Sequence, residues 1–142
     1  MKTRKNIRLK EYDYTKKGYY FITLCSKNMQ NLFGELKDFK MQYNDYGNKI
    51  IYTIGNFNIK DVKIEYYQIM PNHLHLIIEF EKDIDKKLST IVSMFKSRCT
   101  YNLGIKNIWQ RGYFERIIRD EKEYYNVVRY IQNNPYRDKY NW

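Results

Sequence analysis

Two β-rich segments joined by a proline-containing turn constrain the fold of this chain more than any other feature. Residues 62–70 and 73–80 are rich in aliphatic and aromatic side chains of the kinds that favour strands. Pro71 lacks the backbone N–H that a strand ladder needs, and Asn72 tolerates turn conformations. The sequence therefore predicts that Val62–Met70 and His73–Phe80 form an antiparallel hairpin.

Three further segments have the composition of strands. The run Tyr19–Cys25 is apolar and β-rich, which predicts a buried strand. Residues 32–42 contain two short segments on either side of Lys37 and Asp38, which predicts a second hairpin. A short strand is expected at Phe114–Arg119.

Apolar residues at helical spacing predict helices between these strands. The first is expected at Asn44–Phe57, although Gly47 and Gly55 weaken the pattern because glycine is a poor helix former. The second is expected at residues 85–103, where five side chains form one apolar face: Leu88, Ile91, Val92, Phe95 and Cys99. The order of elements predicts an α+β fold, with one antiparallel sheet and helices packed on it.

The composition limits the class of protein and of partner. A chain of 142 residues with 43% hydrophobic residues is expected to form one folded domain, without a membrane span or a signal peptide. Its formal net charge of +10 favours a polyanionic partner such as nucleic acid, although a basic soluble protein without such a partner fits the charge equally well. The two cysteines, Cys25 and Cys99, suggest neither a disulfide scaffold nor a zinc site.

Residues 1–17 are polar and basic, and they are expected to form an arm or a loop. Four of their cations would either follow the phosphates of a nucleic acid or belong to a solvated tail: Arg4, Lys5, Arg8 and Lys10.

The two histidines of the chain, His73 and His75, flank Leu74 on a predicted strand. Since side chains alternate across a strand, both imidazoles point to the same face, where they could bind one divalent ion. The alternative is a pair of half-exposed strand histidines without a ligand. A metal site on a basic protein would suggest phosphodiester chemistry.

A last helix is expected to begin at Asp120, with Glu123 completing a capping box, and to end before Pro135. A helical wheel places four residues on its buried face: Tyr124, Val127, Val128 and Ile131. Tyr130 and Asn134 lie one turn apart at the edge of that face. If the helix docks on the sheet, these two side chains would either approach a metal bound by the histidines or simply border the core.

Four stretches of the chain together resemble one protein family. YYQIMPNHLHLIIEF resembles the HUH (histidine–hydrophobe–histidine) motif of the single-tyrosine transposases of small bacterial insertion sequences. Three further stretches agree with the REP-associated branch of that family: RLKEYDYTKKGYYFIT, LSTIVSMFKSRCT and IWQRGYFERIIRDEKEYYNVVRYIQNNP.

This resemblance implies a ferredoxin-like sheet with the HUH histidines on a central strand. It implies Tyr130 as the nucleophile, in the pattern YIxxN, and a divalent metal, Mg²⁺ or Mn²⁺, bound by His73, His75 and Asn134. No second tyrosine lies four residues from Tyr130, as the two-tyrosine enzymes would require. Gln110, Arg111 and Arg119 lie in the resembling stretch and are candidates either for DNA contacts or for ordinary surface residues.

The resemblance also implies the reaction. The expected activity is nicking and rejoining of single-stranded DNA that contains hairpins, through a 5′-phosphotyrosine intermediate and without a nucleotide cofactor. The protein is expected in the bacterial cytoplasm near the nucleoid, as a monomer or a homodimer. Three alternatives remain at this point: a non-catalytic single-stranded nucleic-acid-binding module, a degenerate transposase of the same fold, and a replication or relaxase-type HUH enzyme.

Overall fold

A computed structural model of the chain describes residues 12–133 as alternating strands and helices. The strands are β1 (Gly18–Cys25), β2 (Gly34–Lys37), β3 (Lys40–Tyr43), β4 (Val62–Met70), β5 (His73–Phe80) and β6 (Phe114–Ile118). The α-helices are α1 (Asp45–Gly55), α2 (Leu88–Leu103) and α3 (Glu121–Asn133). Within these residues, no helix has the length and apolar character that a membrane span requires.

Four strands form one antiparallel sheet in the order β4–β5–β1–β6, and β2 pairs with β3 in a separate hairpin. In the chain, α1 connects β1 to β4 by way of the small hairpin, and α2 connects β5 to β6. This connectivity is the ferredoxin-like arrangement of two split β-α-β units. The predicted α+β class and both predicted hairpins are confirmed, and β5 is an interior strand flanked by β4 and β1.

The sheet is covered by helices on both faces because its strands alternate two sets of apolar side chains. On one face, α1 and α2 enclose the main core, to which β5 contributes Leu74 and Leu76. On the other face, Val127 and Ile131 of α3 pack with Ile77 of β5 in a smaller core. The odd-numbered residues of β5, which include both histidines, therefore lie on the face that α3 covers.

The long helix α2 buries the face that the sequence predicted, including Leu88, Phe95 and Cys99. It begins at Leu88 rather than at residue 85 because the preceding residues bond to the loop before β1. The backbone N–H groups of Ile84 and Leu88 donate to the carbonyl oxygens of Thr15 and Tyr14.

The described part of the N-terminal segment, residues 12–17, is a loop that packs on the fold. Tyr12 and Tyr14 lie against the main core, and the Tyr14 hydroxyl donates to Glu115 Oε2 at 2.7 Å. The four cations assigned to DNA contacts in this segment lie outside the described residues: Arg4, Lys5, Arg8 and Lys10.

The two glycines of α1 occupy different environments. The backbone N–H of Gly47 donates to Asn44 Oδ1 at 2.9 Å, which caps the helix, and a Cβ at Gly47 would collide with the Phe33 carbonyl oxygen. A Cβ at Gly55 would meet no atom within 4 Å. Gly47 is thus required by the close approach of another backbone segment, whereas the space around Gly55 accepts a larger residue.

We predict that Gly47→Ala lowers the free energy of unfolding by about 1–3 kcal/mol, because a backbone carbonyl must move to admit the methyl group. The matched variant Gly55→Ala should leave the free energy of unfolding unchanged or raise it by up to about 1 kcal/mol, since alanine is the better helix former. Urea denaturation measures both values. Equal midpoints for the two variants would contradict this account of α1.

Candidate active site

The two histidines of β5 lie side by side in the layer between the sheet and α3. Both imidazoles are buried, with a relative exposure of 0% each, and their ring centroids are 4.8 Å apart. The prediction that they share one face is confirmed, and both rings are buried rather than half-exposed as the alternative supposed. Their separation allows both rings to bind a single ion.

Each imidazole is oriented by a hydrogen bond at Nδ1. His75 Nδ1 lies 3.0 Å from Thr23 Oγ1 on β1, and His73 Nδ1 lies 2.8 Å from Asn72 Oδ1 in the turn before β5. An amide oxygen only accepts, so a neutral His73 donates its Nδ1 proton to Asn72 and carries its lone pair on Nε2. Metal-binding histidines are commonly held in this way at the nitrogen that does not bind the metal.

Neighbouring strands place further polar side chains next to His75. Strand pairing sets Thr23 of β1 and Gln68 of β4 on either side of it. Gln68 was not identified from the sequence, although a two-residue turn after Met70 already pairs Met70 with His73 and hence Gln68 with His75. Thr23 could not be identified in the same way, because it lies 52 residues away along the chain.

Helix α3 brings Tyr130 to the histidines. Val127 and Ile131 anchor the helix on the smaller core, which leaves Tyr130 half-buried at its edge. The Tyr130 ring centroid lies 6.1 Å from that of His75 and 6.4 Å from that of Phe21. The expectation that a docked helix would place Tyr130 at a core boundary near the histidines agrees with this geometry.

The third predicted metal ligand, Asn134, lies outside the described residues. Within residues 12–133, no three His, Cys, Asp or Glu side chains come together as a metal site. Of the three predicted ligands, the described residues contain the two imidazoles of His73 and His75, and imidazole nitrogen is a common ligand of divalent transition metals.

The start of α3 is fixed by charged side chains. Asp120 Oδ1 accepts from the Glu123 backbone N–H at 2.8 Å, as predicted for the helix cap. The Glu123 carboxylate does not return a bond to Asp120. It accepts instead from the Arg119 backbone N–H at 2.6 Å, and this bond holds the pKa of Glu123 below its ordinary value. Arg116 Nη2 adds a second contact to that carboxylate at 3.3 Å.

The candidate DNA contacts separate into two groups. Gln110 and Arg111 line a small cavity of about 130 Å³, together with Thr23, Cys25 and residues 112–114. Arg119 lies near the other end of β1. That end, at Tyr19, is four residues from Thr23, a distance of about 13 Å along the strand. There Arg119 lines a cavity of about 740 Å³ with Tyr19 and the start of α3. Of these three candidates, Gln110 and Arg111 share a cavity with Thr23 and Cys25, the strand partners of His75 and His73.

Cys25 lies opposite His73 in the sheet and borders the small cavity. Burial raises the pKa of the Cys25 thiol to about 11, so the sulfur stays protonated at neutral pH. A protonated thiol is a poor ligand and a poor nucleophile.

The sequence and the structure both match known transposases. A family model described as "Transposase IS200 like" matches residues 14–134. An uncharacterized protein of Haemophilus influenzae is 40% identical, over 93% of this chain and 88% of that protein. The REP-associated tyrosine transposase of Escherichia coli K12 is 30% identical, over 91% of this chain and 72% of that protein.

A solved structure has a similar fold. It is described as a REP-associated tyrosine transposase bound to a REP hairpin, and it superposes with a TM-score of 0.65 at 28% sequence identity. The match covers 92% of this chain and 73% of that one.

We predict that Asp120→Ala lowers the free energy of unfolding by about 1 kcal/mol, because the Glu123 N–H at the start of α3 loses its acceptor. Asp120→Asn keeps an acceptor oxygen at this position and should retain most of the stability. Thermal or urea denaturation of the two variants checks the cap. Wild-type stability in Asp120→Ala would show that this bond does not fix the start of α3.

Proposed function

Because the chain belongs to the IS200-like transposase family, we propose that it cleaves and rejoins single-stranded DNA with Tyr130 as the nucleophile. The observation that carries this proposal is the juxtaposition of Tyr130 with His75, at 6.1 Å between ring centroids, and of His75 with His73 at 4.8 Å. A candidate nucleophile and two candidate metal ligands thus meet between the sheet and α3.

In the proposed step, the Tyr130 oxygen attacks the phosphorus of a phosphodiester and loses its proton. The bond between phosphorus and the 3′ oxygen breaks, and that oxygen takes up a proton to become a 3′-OH. The product is a 5′-phosphotyrosine. Because one phosphodiester replaces another, the reverse reaction can rejoin DNA ends without ATP.

A tyrosine hydroxyl is largely protonated at neutral pH, so Tyr130 needs a positive environment to act as a nucleophile. The chain carries a formal net charge of +10, which favours an anionic phenolate as well as an anionic substrate. The half-buried position of Tyr130 keeps the ring against Phe21 and His75, and this contact limits the orientations that the hydroxyl can take.

His73, His75 and Asn134 are the residues that would hold a divalent ion, Mg²⁺ or Mn²⁺. When bound, such an ion would polarise a phosphate oxygen and offset charge in the transition state. The hydrogen bonds that the imidazoles form with Thr23 and Asn72 support this assignment, because they orient both rings before any ligand arrives.

The proposed substrate is single-stranded DNA with a hairpin. The related solved structure is described as bound to a REP hairpin, and the charge of this chain suits a phosphate backbone. The alternative of a non-catalytic module that stacks bases on its sheet would need an open aromatic face. In this fold α3 covers one face of the sheet, and α1 and α2 cover the other, so that alternative is disfavoured.

We predict that Tyr130→Phe abolishes formation of a covalent protein–DNA adduct and leaves the Kd for DNA nearly unchanged, because the ring remains and only the attacking oxygen is lost. Tyr125→Phe is the matched control, since Tyr125 is an exposed tyrosine on the same helix. Denaturing gels with hairpin-containing single strands, with Mn²⁺ or Mg²⁺ or with EDTA, measure the adduct. A full adduct yield in Tyr130→Phe would show that another residue is the nucleophile.

We further predict that His73→Ala abolishes metal-dependent cleavage and weakens Mn²⁺ binding, because half of the described donor set is removed. Since His73 is buried, a second variant, Thr23→Val, removes only the partner of His75 Nδ1 and should weaken Mn²⁺ binding by about 10- to 100-fold. Calorimetric titration of Mn²⁺ without DNA measures binding apart from activity. If His73→Ala and Thr23→Val both fold and keep the Mn²⁺ affinity and the cleavage activity of wild type, the assignment of the metal site to the histidines is wrong.

A further inference from the structure

The segment before β6 closes over the end of β1 that lies beside the histidines. Trp109 forms a bridge with Ser26, and the Gln110 N–H donates to the Cys25 carbonyl oxygen at 2.9 Å. The Lys27 N–H donates to the Ile108 carbonyl oxygen at 2.7 Å. Residues 108–110 thus extend the sheet by a short irregular edge along the end of β1, whose Cys25 pairs with His73 on its other side.

Lys96 of α2 fixes the continuation of this segment. Its Nζ donates to the carbonyl oxygens of Gly112 at 2.7 Å and Gln110 at 3.2 Å. The ammonium group is a donor only, so these bonds hold the backbone on both sides of Arg111. The half-buried Lys96 thus supports the backbone of the segment that carries the exposed Arg111.

The small cavity between this segment and β1 adjoins the histidine pair. Thr23, which lines it, lies 3.0 Å from His75 Nδ1, and Cys25, which also lines it, pairs with His73. A volume of about 130 Å³ is well above what a single water molecule needs, since about 10–15 Å³ holds one water. The space suits a small polar group such as a phosphate.

The charge of the small cavity selects an anion. Its lining includes Arg111 but no Asp or Glu, whereas the large cavity at the other end of the sheet includes Glu65, Asp120 and Glu121. Among residues 12–133, Arg111 takes part in none of the ion pairs within 4 Å. A guanidinium that is not neutralised by a carboxylate, at the mouth of a cavity of this size, suits a phosphate oxygen pair.

We propose that the small cavity binds the DNA backbone phosphate next to the one that Tyr130 attacks, with Arg111 as its ligand. Lys96 is the positioning residue, because it fixes the backbone that presents Arg111. The inference rests on the proposed function for the location of the attacked phosphate. It adds a second anchoring point, which would hold the strand in line with Tyr130.

The test is a scan of backbone charge. Single strands that each carry one neutral methylphosphonate linkage are titrated against the full chain in EDTA, so that binding is measured without cleavage. Wild type is compared with Arg111→Ala, with Lys96→Met and Lys96→Arg, and with Arg98→Ala. Arg98 is an exposed arginine of α2 that does not line the cavity. Arg98→Ala therefore removes the same charge as Arg111→Ala but at a different site, and it serves as the control. Inorganic phosphate is titrated separately as a competitor.

We expect one linkage adjacent to the cleaved position at which methylphosphonate weakens wild-type binding by about 10- to 100-fold, the effect of one charged hydrogen bond. Arg111→Ala and Lys96→Met should lose this dependence, whereas Lys96→Arg and Arg98→Ala should keep it. The salt slope of Arg111→Ala should fall by about 0.7, the value for one single-strand phosphate.

A methylphosphonate profile in Arg111→Ala identical to that of wild type would overturn the proposal. So would an Arg111-dependent linkage remote from the cleaved position, or competition by inorganic phosphate without any dependence on a DNA linkage. Since the scan measures binding, it also separates the two proposals. An Arg111-dependent linkage without an adduct under any metal would support phosphate binding by Arg111, but it would contradict both cleavage by Tyr130 and the placement of this phosphate next to an attacked one.

Discussion

The antiparallel pairing of β5 between β4 and β1 is the constraint on which the candidate site depends. Pairing with β1 sets Thr23 beside His75 and Cys25 beside His73, and pairing with β4 sets Gln68 on the other side of His75. A shift of one residue would turn both histidines into the main core. The alternation of Leu74 and Leu76 with the histidines opposes that shift, because it would also expose two buried leucines to the α3 face.

The two faces of the sheet have different roles. The face under α1 and α2 contains most of the buried apolar side chains, and burial of apolar surface is the main favourable contribution to folding. The face under α3 has a small apolar centre, in which Val127 and Ile131 pack on Ile77, and polar groups toward one end. A helix anchored at that centre holds the Tyr130 ring 6.1 Å from that of His75 and leaves it half-buried, which is the position that the proposed attack needs. Family membership and geometry thus support the same site.

Patterns within single segments predicted much of this structure. Alternation along β5 identified the shared face of His73 and His75, and helical spacing identified the buried face of α2, because both depend only on local geometry. Long-range contacts were not predictable from one sequence, since nothing in the residues around Thr23 specifies its pairing with a strand 52 residues away. The partner of Glu123 was also missed, because the capping pattern does not distinguish the N–H of Asp120 from that of Arg119. Tyr130 was placed at the edge of α3 by the helical wheel and assigned its role by family resemblance.

The most direct measurement of the central claim is the position of the covalent bond between protein and DNA. Trypsin cleaves after Lys122, Arg129 and Arg137, so the peptide that contains both Tyr124 and Tyr125 separates from the peptide that begins at Tyr130. Mass spectrometry of a digested adduct should find the nucleotide on Tyr130, with fragment ions that exclude Tyr136. A nucleotide on Tyr124, Tyr125 or Tyr136, or an adduct that forms equally without His73 and His75, would contradict an active site formed by the histidines of β5 and the tyrosine of α3.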